Sequence, residues 1–341
     1  MVKIYMGVSL LVKIGIPRGL FYYIYYPFWK VFFEKLGFEV IISSKTNREI
    51  MENGLKNCVD DACLPVKVFH GHILDLSNKC DVLYIPRIIS TNKKEYICPK
   101  FMGLPDMIKN TFDLEMPVID EKLDLYKSNR AFYQHFFNIG QKLGKAKKEI
   151  IKAFYYALYY YYCYKKKLKK YQILPLEEEG LDLYQNVVNY RSKEKEIVQS
   201  KYKVLLLGHP YNIYDDYISM SLIKKLKNYN IKIITPEIIK KENNLRETLS
   251  LNKKLFWTIE RNIIESAILT LRNKEIDGII YVASFGCGPD SIVGELVKMK
   301  IGEDYNIPYL QLYIDEHSGQ AGFDTRLEAF VDILERRRVY K

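Results

Sequence analysis

Three cysteines sit where the chain turns into a helix: Cys63 in NCVDDACLPVKVFHGH, Cys98 in EYICPKFMG and Cys287 in GIIYVASFGCGPDS. Cys287 is held between two glycines, in a turn that brings backbone close to whatever it faces. Cys63 precedes Pro65, a favoured residue for a first helical turn, so its thiolate would face the positive end of that helix. Three thiolates gathered from distant positions suit an iron-sulfur cluster, and three protein ligands on a 4Fe-4S cluster leave one iron open to a substrate, a sulfide or a second cluster. The glycines beside Cys287 would let backbone amides approach the cluster sulfurs. Zinc is a second reading, but structural zinc takes paired C-x2-C ligands, and the close pair here, Cys58 with Cys63, is spaced C-x4-C. Ordinary buried cysteine is a third reading. We assign it to Cys80, before VLYIP, and to Cys163, inside a helical segment; Cys58 stands between the two assignments.

The elements around these thiols alternate. KIGIPRG reads as a strand ending at Pro17, followed by an aromatic helix over Leu20–Leu36. EVIIS, VLYIPR and PVID read as further strands, with helices over 48–56 and 65–76 between them. The logic repeats in KVLLLGHP, a helix over 216–226, KIITPE, the helix WTIERNIIESAILTLRN, then GIIYVAS, YLQLYID and a final helix TRLEAFVDILERR. In the Trp257 helix, Ile263, Ile264, Ala267, Ile268 and Leu271 form one apolar stripe. Strands alternating with helices predict an α/β chain of two Rossmann-like parallel sheets, over 1–124 and 201–341. A helical segment over 125–200 separates them, with LPLEEEGL as a loop and a hinge near Lys201. Such sheets bind ligands beyond the carboxyl ends of their strands, and there Cys98 and Cys287 are expected.

Polar residues accompany the thiols. Arg18 and Arg87 each follow an Ile-Pro strand end, so both are expected at one sheet edge, offsetting cluster charge or gripping a phosphate of a cofactor. His70 and His72, two apart on a helix, point to different faces and make a poor metal pair. His209 follows a strand end, as do Asp315, Glu316 and His317, where hydrogen bonding to a site and a plain helix-entry loop are both open.

Composition limits the alternatives. The chain has 341 residues, six cysteines and a formal charge of +11. Six cysteines are too few for a disulfide scaffold, and no cleavable leader is evident, so a reducing, cytoplasmic setting is expected. No segment is apolar for long enough to span a membrane; FYYALYYYYCYKKKLKKY comes nearest. The lysine group 165–170 lacks a nucleic-acid motif and reads as a solvated face, with no nucleic-acid partner. GLPDMIKN and GELVKMKIG lack the second glycine before lysine that a phosphate loop needs.

Together, IGIPRGLFYYIYYPFWKVFFEKLGFEV, CVDDACLPVKVFHGH, YICPKFMGLPDM, LGHPYNIYDDYI, SFGCGPDS and IDEHSGQAGFDTRLEAF resemble the iron-sulfur family of 2-hydroxyacyl-CoA dehydratase and benzoyl-CoA reductase subunits. The resemblance runs from about Lys13 to Leu334, and it points to the activase-related, DUF2229-type branch, where this module occurs alone or fused to an ATP-dependent activase. It implies two Rossmann-like domains, a helical part, and a 4Fe-4S or double-cubane cluster ligated by Cys63, Cys98 and Cys287, with Cys58 as a further candidate. It also implies an anaerobic electron-transfer role beside an ATP-dependent activase, in a dimer or hetero-oligomer. An acyl-CoA substrate and activity as an acyl-CoA dehydratase or a double-cubane-cluster reductase component go with it. The alternative is a non-catalytic regulatory or assembly module of an activase system.

Overall fold

Alternation of buried β-branched runs with amphipathic helices gives the layered arrangement such a pattern requires. The computed structural model describes residues 11–175, 200–239, 255–304 and 306–339. The chain divides into two compact units, one of residues 1–164 with 255–258, the other of 165–254 with 259–341.

In the first unit β1 (Lys13–Ile16), β2 (Glu39–Ile42), β3 (Val82–Tyr84) and β5 (Val118–Ile119) form a parallel sheet in the order β2-β1-β3-β5. Between them run α1 (Tyr22–Lys35), α2 (Arg48–Asn57), α3 (Leu64–Leu76) and α4 (Pro99–Thr111). VLYIPR, read as one strand, is two. Pro86 has no N–H to give the ladder, β3 stops at Tyr84, and Arg87 opens β4 (Arg87–Ser90), which pairs in parallel with β6 (Lys122–Asp124).

The helical segment expected over 125–200 does not stand apart. It supplies α5 (Arg130–Lys142) and α6 (Lys147–Tyr171), and the first unit includes α5 and α6 as far as Tyr164. Phe136 of α5 and Phe154 of α6 pack on Phe28 of α1, ring centroids 4.6 and 5.8 Å away. The tyrosine-rich run is therefore helical, as its stripe predicts. Beyond Pro175 the expected loop LPLEEEGL falls outside the described residues.

The second unit repeats the topology. β7 (Tyr202–Gly208), β8 (Ile231–Ile234), β9 (Gly278–Ser284) and β10 (Tyr309–Ile314) form a parallel sheet in the order β10-β9-β7-β8. Counted within each unit, both sheets run 2-1-3-4, so each has a switch point between its first and third strands, where connections leave to opposite sides. The helices are α7 (Pro210–Ile213), α8 (Leu222–Asn228), α9 (Thr258–Arg272), α10 (Gly288–Asp304) and α11 (Gln320–Val339).

Two details differ from the sequence reading. The helix expected over 216–226 starts only at Leu222, because Met220 and Ser221 take left-handed φ of 51° and 56°, and such residues do not propagate a right-handed helix. α9 is buried beyond its apolar stripe: Glu260, Arg261, Glu265, Ser266 and Thr270 are buried with it.

Candidate functional site

Cys63, Cys98 and Cys287 each cap a helix N-terminus. Cys63 precedes α3, and its carbonyl accepts the amides of Val66 and Lys67 at 2.9 and 3.2 Å. Cys98 precedes α4, its carbonyl accepting the Phe101 amide at 3.0 Å. Cys287 precedes α10, its carbonyl accepting the Ser291 amide at 3.2 Å. All three are half-buried. Helix N-termini offer unpaired amides and a partial positive charge to the groups they face.

In the first unit the surroundings fix two of these caps. Asp75, in the last turn of α3, accepts the Ser44 amide just past β2 at 2.8 Å, so the rest of α3, towards Cys63, projects beyond the carboxyl edge of the sheet. The start of α4 is beside the start of α1, with Phe101 edge-on to Phe21 at 4.7 Å. The Lys100 ammonium, two residues after Cys98, donates to the Asp61 carbonyl, two residues before Cys63, at 3.0 Å. The Cys63 loop and the Cys98 helix are thus neighbours. Cys58 ends α2 nearby; burial raises its pKa, and Cys63 adds to the rise while the Val59 amide, Lys67 and Lys100 oppose it.

Arg87 serves this arrangement. It donates to the Met102 carbonyl at 3.0 Å and, through both terminal nitrogens, to the Asp106 carboxylate at 2.6 Å, so it orients the helix that Cys98 caps. Arg18 lies past β1, its amide donating to Ser43 Oγ at 2.7 Å and its guanidinium 5.2 Å from the Tyr22 ring centre. Since β1 and β3 pair in parallel, the two arginines do follow the carboxyl ends of neighbouring strands. A contact no local pattern announces is the bridge between Tyr96 and Trp257, in which the Tyr96 amide donates to Phe256 at 2.7 Å and its carbonyl accepts the Thr258 amide at 3.0 Å, two residues before Cys98.

In the second unit the switch point between β7 and β9 carries the chemistry. Gly208 ends β7 at φ +145°, where a Cβ would collide with the Val282 carbonyl of β9; glycine admits the close approach. His209 follows and caps α7. On the other strand, Gly286 at φ +75° turns the chain from β9 into α10 and presents Cys287.

Among the described residues, His209, Cys287 and Asp290 offer ligand atoms all within 4.8 Å of one another. His209 Nδ1 lies 2.8 Å from Asp290 Oδ2 and Nε2 lies 3.3 Å from Glu260 Oε1, while the Tyr281 hydroxyl donates to Asp290 Oδ1 at 2.8 Å. Burial opposes charge on His209, but Asp290 and Glu260 on either side outweigh it and hold its pKa well above the ordinary histidine value. Both ring nitrogens face a carboxylate, an arrangement that favours the protonated ring. A single ion of zinc size keeps its ligand atoms about 2.0–2.3 Å from itself, which in tetrahedral geometry sets them farther apart than the His209–Asp290 pair. The His209–Asp290 pair is thus joined by a hydrogen bond, closer than two ligands of one tetrahedral ion would stand.

Other residues singled out by sequence have structural surroundings. His72 is buried between Ser43 Oγ at 2.9 Å and Thr46 Oγ1 at 3.0 Å, and burial drives its pKa down to about 3. His70 faces the Val66 carbonyl at 2.8 Å. Cys80 lies within 3.5 Å of the Leu76 carbonyl, and burial raises its thiol to about 11. Asp315 accepts the His317 amide at 2.9 Å in the loop after β10. Sequence reasoning missed Glu260, Asp290 and Tyr281 as a network. Glu260 had a signal: it is three and four residues before Ile263 and Ile264, a carboxylate on an apolar stripe.

Comparison with known proteins gives one family. A family model described as CoA enzyme activase uncharacterised domain (DUF2229) matches residues 13–239. No curated protein matches the chain. Among solved structures, the periplasmic zinc binding protein TroA from Treponema pallidum aligns with 95% of this chain and 99% of its own at 10% identity, with a TM-score of 0.27.

Proposed function

The chain belongs to the CoA enzyme activase uncharacterised domain (DUF2229) family, and on that premise we propose that it is an iron-sulfur protein that accepts electrons from an ATP-dependent activase. In this reading it delivers them to a low-potential reduction or to an acyl-CoA dehydration, as a member of the dehydratase-like branch. The observation that carries the reading is the shared placement of Cys63, Cys98 and Cys287 at the N-caps of α3, α4 and α10.

The donor set fits an iron-sulfur group. Thiolates are its usual ligands, and these thiols are half-buried at helix N-termini, which offset ligand charge. A bound cluster would supply one-electron chemistry at low potential. Cys63 and Cys98, with Cys58 at hand, are the candidate ligands that the first unit offers; Cys287 is the candidate that the second unit offers. Lys67 and Lys100 stand near the Cys58 thiol and would counter the negative charge of thiolate and sulfide. Arg87 is engaged by Asp106, so its part is to hold α4 in place; Arg18, at the same edge, has its guanidinium beside the Ser43 carbonyl and the Tyr22 ring.

Anaerobic purification followed by iron and acid-labile sulfide analysis tests the cluster. Both should be present and should rise and fall together. Reduction followed by visible absorbance and electron paramagnetic resonance tests the partner: it should require a co-encoded activase together with ATP. Protein without iron and sulfide would support the cluster-free module instead, and complete reduction by a mild donor alone would sink the activase-driven role.

A further inference from the structure

The loop that carries Cys287 is tied at both ends to the neighbouring strand's exit. On its entry side Ser284, the last residue of β9, donates its hydroxyl to Asn212 Oδ1 of α7 at 2.8 Å. On its exit side Asp290 Oδ2 meets His209 Nδ1 at 2.8 Å, and Asp290 Oδ1 accepts the Tyr281 hydroxyl at 2.8 Å. His209 and Asn212 belong to the segment leaving β7, whereas Ser284 and Asp290 bracket the segment leaving β9. Two side-chain ties therefore cross the switch point, and Cys287 lies between them.

The contrast in exposure is sharp. Asn212 and Asp290 are 0% exposed, His209 2% and Ser284 3%, while Phe285, within the tied loop, is 70% exposed. A buried cluster of polar side chains contributes little net stability compared with a well-packed apolar filling. The same sheet already has a continuous apolar core through Leu205, Leu206, Leu207, Ile279 and Ile280, all fully buried. What the polar ties add is a fixed position for an otherwise exposed turn.

We propose that His209 and Asp290, together with the Ser284–Asn212 tie, are positioning residues that hold the Cys287 thiol at the N-terminus of α10 in the geometry a metal centre requires. The inference rests on the reading of Cys287 as a cluster ligand for its purpose, but not for its test. Groups that orient a ligand from behind it change metal affinity by about 10–100-fold when removed.

Hydrogen exchange of the metal-free full chain decides the positioning. In Asp290→Ala and in the milder Ser284→Ala, amides from Phe285 to Ser291 should exchange about tenfold faster, as loss of one net side-chain hydrogen bond against local opening implies, while those of β7 and β9 keep wild-type rates. Acceleration spread evenly over β7, β9 and the loop would mean a general stabilising role and would overturn the proposal, as would unchanged loop exchange in both variants. Ser284→Ala gives the answer if Asp290→Ala does not fold. Iron retention against a chelator, measured on anaerobically loaded protein, adds the metal arm: both variants should lose iron faster than wild type, and equal retention would overturn the ligand-positioning role. Wild-type protein that takes up no iron would defeat the cluster reading alone, and the loop exchange would still decide this one.

Discussion

At the scale of single residues, the cysteines separate by their surroundings. Cys63, Cys98 and Cys287 cap helices, whereas Cys80 packs under β1, where a side chain on Gly15 would meet its sulfur, and its thiol is held near 11 by burial. Ala replacement at Cys63, Cys98 or Cys287 is expected to remove most of the iron measured in anaerobic protein, while Cys80→Ala and Cys163→Ala keep wild-type loading. Full loading in each of the first three variants would refute the ligand assignment. The Cys63 cap was legible because Pro65 announces a first helical turn. The engagement of Arg87 by Asp106 was not, since the partners are 19 residues apart and only the crossing of β4 and α4 joins them.

At the scale of elements, α2 and α3 cross at two glycines. A Cβ on Gly54 would collide with the Lys67 carbonyl, and one on Gly71 with the Ile50 carbonyl. The pair therefore approaches backbone to backbone, which fixes the direction of α3 and hence where Cys63 is delivered. Gly71→Ala should push the helices apart, lowering stability by about 1–3 kcal/mol as overpacking does, and iron loading should fall with it. Urea unfolding and iron analysis on the same preparation check this; unchanged stability would mean the helices separate without strain. Periodicity places both helices but says nothing of this crossing, because glycine inside a helix pattern reads only as a weak residue.

At the scale of the whole molecule, the two units carry opposite histidine chemistry. His72 and His135, in the first unit, are held neutral by burial, with pKa values of about 3 and about 4 against 6.5. Each binds a proton on unfolding in the window between 6.5 and the folded value, so stability falls as pH falls, by about 1.4 kcal/mol per pH unit for each such proton. Asp75, Asp120 and Glu121 of the same unit add to this: burial raises them, but hydrogen bonds and lysine partners outweigh it and leave them below their ordinary values, so their stabilisation also fades in acid. His209, in the second unit, has the opposite sign. Its raised pKa makes its contribution full below 6.5 and lost only as pH rises through the folded value. Acidification from neutrality towards pH about 4 should therefore open the first unit ahead of the second. Hydrogen exchange across that range would show β1 and β3 losing protection before β7 and β9, and the reverse order would count against this account.

What the sequence determined by itself is most of the elements, though not the break between β3 and β4 or the strand β6, and the element end at which each thiol appears. Short apolar runs ended by Pro or Gly, followed by helical periodicity, are local signals, and local signals are sufficient to place Cys98 and Cys287 after strands and Cys63 before a helix. The tertiary structure decided the partners. The fusion of α5 and part of α6 to the first unit, the bridge of Tyr96 to Trp257, and the burial of His209 between Asp290 and Glu260 all join residues far apart in the chain. Their meeting depends on sheet order and on which helix covers which strand, and a single sequence encodes those only through the summed packing of the folded chain.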